Sequence, residues 1–129
     1  MSVFTKIITG EIPSYKVAED DNFIAFLDIN PNAKGHTLVV PKKEENKIFD
    51  LSIEEYRNLM DFSYRVAKAL EKAVPCKRIG MSVIGLEVPH VHVHLVPTNK
   101  MVDMQFTDKV KVSSEEFVAL AKSISSEFE

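Results

Sequence analysis

The sequence predicts an α+β protein: a five-stranded antiparallel sheet with a long helix and a C-terminal helix packed on it. Three observations predict it. Apolar runs of strand length are separated by short polar turns. Two serine-led capping boxes each open a stretch with helical apolar spacing. One segment, Val88 to Pro97, alternates histidine with aliphatic residues at a period of two.

Composition bounds the answer. A chain of 129 residues is one domain, residues 1–129. That size buries about two-thirds of the unfolded surface, enough for a core without staples. The hydrophobic fraction of 45% and charged fraction of 27% are ordinary for a globular protein. The net charge of −3, with no basic patch, argues against a nucleic-acid partner. Cys76 is the only cysteine, so an internal disulfide and a cysteine-rich zinc site are both excluded. No apolar run approaches a membrane span. The expectation is a cytoplasmic protein without a membrane partner.

The elements follow in order. Phe4, Ile7 and Ile8 fall at i, i+3 and i+4, predicting one or two helical turns that stop near Gly10 and Pro13. Tyr15–Ala18 and Phe23–Asp28 read as strands joined by the turn Glu19-Asp20-Asp21-Asn22. Ile29 to Gly35, with Asn30-Pro31-Asn32, reads as a loop. His36 to Pro41 reads as a β-branched strand. Lys42 to Leu51 is an irregular connector.

Ser52 with Glu55 forms the first capping box, and a helix is expected to run to about Val74. Its apolar stripe (Tyr56, Leu59, Met60, Ser63, Ala67, Leu70, Val74) is widened by Phe62, Val66, Ala69 and Ala73. Such girth predicts two buried faces, one on the sheet and one on a partner chain. Arg78 to Gly85 reads as a strand, followed by the histidine strand. Met101 to Lys111 fits neither periodicity. Ser113 with Glu116 makes the second capping box, opening a helical segment over about 113–128.

Three of the four histidines fall within five residues. On a strand, His90, His92 and His94 share one face at spacings of about 6.5–7 Å, and Val91, Val93 and Leu95 share the other. Three readings stay open on spacing alone. The face is an exposed surface; or it is a site for phosphoryl or nucleotidyl transfer; or it ligates a metal, with Glu87, Asp103 or His36 completing the set. The transfer reading uses imidazole as nucleophile and imidazole N–H groups as donors to phosphate oxygens.

The pattern His90-Val91-His92-Val93-His94-Leu95-Val96 resembles the signature of the histidine-triad (HIT) superfamily of nucleotide hydrolases and transferases. Phe4 to Pro13, Phe26 to Pro31 and Gly35 to Lys42 resemble its preceding blocks, so the likeness covers about residues 3–100. It is strongest to the branch of small Hint-like phosphoramidate hydrolases. The resemblance implies a HIT-like fold and a homodimer. It implies hydrolysis of nucleoside phosphoramidates or dinucleoside polyphosphates through a covalent nucleotidyl-histidine, with no cofactor; the alternative is a catalytically weak nucleotide-binding or regulatory member of the superfamily. The partner is then a purine nucleotide or nucleoside phosphoramidate.

The resemblance also implies roles. His92 matches the nucleophile. His94 and His36 match residues around the phosphate and the nucleophile, and His90 matches the residue near the leaving group, whose backbone carbonyl holds the nucleophilic ring. Asp28 matches the acid on the ribose hydroxyls, and Val3, Phe4, Phe26 and Ile29 match the apolar slot for the base. Val88 and Glu87 match positions bordering the phosphate and leaving group. Two departures stand out. Where many relatives carry a zinc-binding Cys-x-x-Cys and a histidine, this chain has Ser2, Thr5 and Glu44, so no structural zinc is expected. The stretch Met81 to Val88 is shorter than in relatives and has no asparagine, and Glu87 replaces a hydroxyl. A carboxylate there suits a cationic leaving group or else weakens action on polyphosphates.

Overall fold

A computed structural model describes all of residues 1–129. The elements run α1 (Val3–Ile8), β1 (Lys16–Glu19), β2 (Phe23–Leu27), β3 (Thr37–Pro41), α2 (Ile53–Ala73), β4 (Arg78–Ser82), β5 (Val93–Thr98) and α3 (Ser114–Glu127). Short 3₁₀ turns at Ile48–Asp50 and Met101–Met104 lie in the two stretches without periodicity. The five strands form one antiparallel sheet in the order β1-β2-β3-β5-β4. No helix is long and apolar enough to cross a membrane.

Local chemistry explains the punctuation. Asp20 Oδ1 accepts from the N–H groups of Asn22 and Phe23, closing the β1–β2 turn. The Ser52 and Glu55 capping box is complete in both directions. The one expected at Ser113 is half-formed: the serine accepts from Glu116 N–H, but the Glu116 carboxylate instead pairs with Lys34 at 2.7 Å. Gly35 turns the chain into β3 with φ +95°, and a Cβ there would meet Val74 at 3.1 Å and Pro97 at 3.2 Å.

The sheet separates two cores. On one face Val17, Ala25, Leu27, Val39, Val93 and Leu95 pack against Leu59, Phe62, Val66 and Leu70 of α2 and Phe117 and Ile124 of α3. On the other, Phe4 of α1 closes over Ile24, Phe26, Leu38 and Val40. Part of the second face of α2 is covered within the chain. Phe62 lies 5.5 Å from Phe128, and Arg65 stacks over Phe128 at 4.7 Å. That part of the wide stripe therefore does not require a second copy.

The histidine strand is shorter than expected. Strand geometry begins at Val93, so only His94 is in the ladder, opposite Leu38. Pro89 has no N–H to give, and the N–H of Val91 leaves the sheet to reach Glu45 O at 2.8 Å. The alternation survives this departure. Val91 stays with the helix-side core, while His90 and His92 stay on the α1 side.

Candidate active site

His36, His90, His92 and His94 converge on the α1 side of the sheet, and all four are buried. Their hydrogen bonds fix where each proton sits. A carbonyl oxygen only accepts and a backbone N–H only donates. His92 Nδ1 is 2.7 Å from His90 O, so it carries the proton and Nε2 keeps the lone pair. The N–H of Asn32 points at His36 Nδ1 at 3.0 Å, so His36 carries its proton on Nε2. That proton is donated to His94 Nδ1 at 3.0 Å, which leaves the His94 proton on Nε2. Neighbouring rings thus present opposite chemistry: an acceptor nitrogen on His92 and a donor on His94. Their centroids are 4.9 Å apart.

Burial holds three of the rings below their ordinary range. Burial, aided by the proximity of His94 and Lys109, pushes His36 down to about 3. Burial, with His92 and Lys109 nearby, takes His94 down to about 4. Burial also lowers His92, opposed by its bond to the His90 carbonyl. Asp28 moves the other way. Its carboxyl is raised by burial, although Asn30 N–H donates to it.

His90 is wholly enclosed. Its Nε2–H donates to Pro41 O at 2.7 Å, so its Nδ1 accepts from the Ser2 hydroxyl at 2.6 Å. Its ring is thus occupied on both sides and not, as expected, open to a leaving group, and its carbonyl is what faces His92. Phe4 and Phe26 are buried 5.7 Å apart, with the Phe4 ring edge-on to His92 at 4.9 Å. Val88 is half-buried against them. Val3 and Ile29 present open apolar surface, Ile29 being 75% exposed. Glu87 and His92 line one cleft of about 710 Å³ with Phe49, Ile84 and Leu86.

Three protein groups offer metal-ligand atoms within 4.8 Å of one another: Asp28, His36 and His94. The same hydrogen bonds argue against ligation there. With Asn32 N–H on Nδ1, neutral His36 holds a proton on the nitrogen that faces His94 and, at 3.6 Å, Asp28. A metal would have to displace it.

A family model for the HIT domain matches residues 9–101. The chain belongs to the HIT domain family. It is 43% identical over 107 residues to an uncharacterized HIT-like protein of Methanocaldococcus jannaschii, covering 75% of this chain and 78% of that one. It is 36% identical over 128 residues to the adenosine 5'-monophosphoramidase hnt1 of Schizosaccharomyces pombe, covering 96% of each. Among solved structures, a HIT-like protein involved in cell-cycle regulation from Bartonella henselae superposes with TM-score 0.86 at 32% identity, covering 98% and 96% of the two chains.

This HIT domain does not fit a structural zinc at its N-terminus. Ser2 and Thr5 bring hydroxyls, not the sulfur or imidazole ligands zinc prefers. These groups are already bonded to one another. Glu44 Oε1 accepts from the Thr5 hydroxyl at 2.6 Å and from Ser2 N–H at 2.7 Å, which holds its carboxyl below the usual range.

Sequence reasoning passed over Asn32, Phe106 and Lys109. Asn32 lies in the loop Ile29 to Gly35, yet it is 3% exposed and supplies the N–H on His36. Phe106 stands edge-on to His94 at 4.7 Å, and Lys109 Nζ lies 2.7 Å from Asn32 Oδ1. Both lie beyond the HIT-matched residues. The one available signal was an aromatic and a cation in a stretch with no periodicity of its own.

Proposed function

We propose that this HIT domain hydrolyses nucleoside phosphoramidates, with dinucleoside polyphosphates as a related substrate class, through a nucleotidyl-histidine. The carrying observation is the 2.7 Å bond from His92 Nδ1 to His90 O, which leaves Nε2 as a nucleophile. In the first step Nε2 bonds to phosphorus and the P–N bond breaks. The amine leaves with its electron pair and takes up a proton from solvent. In the second, water bonds to phosphorus and gives up a proton to solvent, the P–Nε2 bond breaks, and the lone pair returns to His92. His94 Nε2–H donates to the phosphate oxygens as charge develops.

The remaining residues take supporting roles. Asp28 accepts from the ribose hydroxyls. Val3 and Ile29, backed by Phe4 and Phe26, receive a purine base, and Val88 borders the phosphate. Glu87 shares the cleft with His92 and favours an amine as leaving group over a second phosphate. The reading includes a homodimer. It is supported by edge strand β4, where Met81 is 56% exposed, and by Ile84 just beyond it at 53%. The similarity to a monophosphoramidase over nearly the full chain supports the substrate class.

Mass spectrometry of the protein mixed with adenosine 5'-phosphoramidate tests the reading. An adenylate adduct on the wild type, absent from His92→Ala, is expected together with turnover. Nucleotide binding with neither adduct nor turnover would make the protein a binding module instead.

A further inference from the structure

We propose that Asn32 and Lys109 are positioning residues, and that residues 103–110 form a latch that places the donor proton of His94. Asn32 is the hub. Its backbone N–H occupies His36 Nδ1, while both ends of its side chain are held by the C-terminal stretch: Nδ2 donates to Asp103 O at 3.0 Å and Oδ1 accepts from Lys109 Nζ at 2.7 Å. A fourth bond, Val110 N–H to Pro31 O at 3.0 Å, fastens the same stretch to the same loop.

The path from latch to donor has two further bonds. Asn32 fixes the His36 proton on Nε2, and His36 fixes the His94 proton on Nε2. If Asn32 swings away, His36 is free to carry its proton on Nδ1. Its Nε2 then faces His94 as an acceptor, and His94 must present a lone pair where it had presented a proton. The wall beside these rings is built by the latch as well. Phe106 has φ 58°, a left-handed conformation uncommon for a bulky residue, and its ring packs 4.7 Å from His94 and 5.9 Å from His36. Lys109 caps that ring at 5.2 Å. Asp103 anchors the start of the latch by accepting from the N–H groups of Asn99 and Lys100.

The latch itself, residues 103–110, lies outside the HIT-matched residues 9–101, while Asn32, the histidines and the groups it fastens to lie within them. Its importance for turnover rests on the hydrolase reading above. Its effect on ring protons does not.

The test is nitrogen-15 NMR of the histidine rings in the full chain at pH 7. The wild type is expected to show His94 as the Nε2–H tautomer alone. Lys109→Met is expected to give His94 in two tautomers, with kcat on adenosine 5'-phosphoramidate down about 10-fold and KM within about twofold. Lys109→Arg keeps the donor and is expected to preserve both readouts. Asn32→Ala, a buried change, should act in the same direction more strongly. A wild-type His94 spectrum in Lys109→Met overturns the proposal, even if the melting temperature falls. So does a rise in KM alone, which would make Lys109 a substrate contact. If the wild type turns over no phosphoramidate, the hydrolase reading fails while the ring spectra still decide this one.

Discussion

Ser2 Oγ lies 2.6 Å from His90 Nδ1, joining the second residue of the chain to a ring 88 positions later. The same oxygen caps α1 by accepting from Thr5 N–H. Helix, carboxylate and histidine are therefore tied by one small network. Ser2→Ala leaves a buried imidazole nitrogen without a donor, which costs about 1–3 kcal/mol. Urea denaturation of the variant should show a lower midpoint with the slope unchanged. An unchanged midpoint would mean that the contact carries no net stability.

His92 and His94 should fail differently. Under the proposed mechanism His92→Ala removes the nucleophile, so no adduct is expected. His94→Asn removes a donor to developing charge and is expected to lower kcat by about 10²–10³-fold with KM little changed. Steady-state kinetics on adenosine 5'-phosphoramidate separates the two. Equal loss in kcat and in substrate affinity for His94→Asn would make that ring a ground-state binder.

The rate should resist acid further than free imidazole allows. In the proposed mechanism His92 attacks only when neutral, and burial holds it below the ordinary 6.5. The acid limb of kcat/KM is therefore expected below pH 6.5, measured by initial rates from pH 4 to 8. A limb above pH 6.5 would assign the titration to another group.

Stability has its own pH dependence. His36 and His94 titrate near 3 and 4 when folded but at 6.5 when unfolded. Between those values the unfolded chain binds more protons, so their contribution is complete above pH 6.5 and lost as pH falls toward about 4 for His94 and about 3 for His36. Each adds a slope of at most about 1.4 kcal/mol per pH unit in that window. Asp28 opposes them, since its raised carboxyl contributes fully below 3.8 and loses that contribution as pH rises through its folded value. Urea midpoints at pH 7 and pH 4.5 should differ in the wild type, and the difference should shrink in His36→Asn.

Gly35→Ala should destabilise by about 1–3 kcal/mol, because it meets both a left-handed φ and a crowded Cβ position. Calorimetry checks it. The residue precedes His36, so activity is expected to fall along with the melting temperature.

Much of this was legible before any coordinates. Periodicity and capping gave all eight elements in order, because β1 to β5, α2 and α3 bury faces whose spacing is local information. The end of the histidine strand was not legible. Whether His92 stays in the ladder depends on where Val91 N–H finds an acceptor, and Glu45 is 46 residues away. The half-formed cap at Ser113 has a similar cause, since Lys34 competes for the Glu116 carboxylate. Asn32 and Lys109 escaped notice because a loop amide and a surface cation carry no pattern until the fold brings them within 2.7 Å.

The sheet also partitions what mutation can do. Val93 and Leu95 face the helices, and His92 and His94 face the opposite side, along one run of backbone. Trimming the first pair should change how much protein a cell keeps while leaving turnover per molecule intact. Altering the second pair should do the reverse. Variation along four consecutive residues would then alternate between two phenotypes, abundance and catalysis, with a period of two.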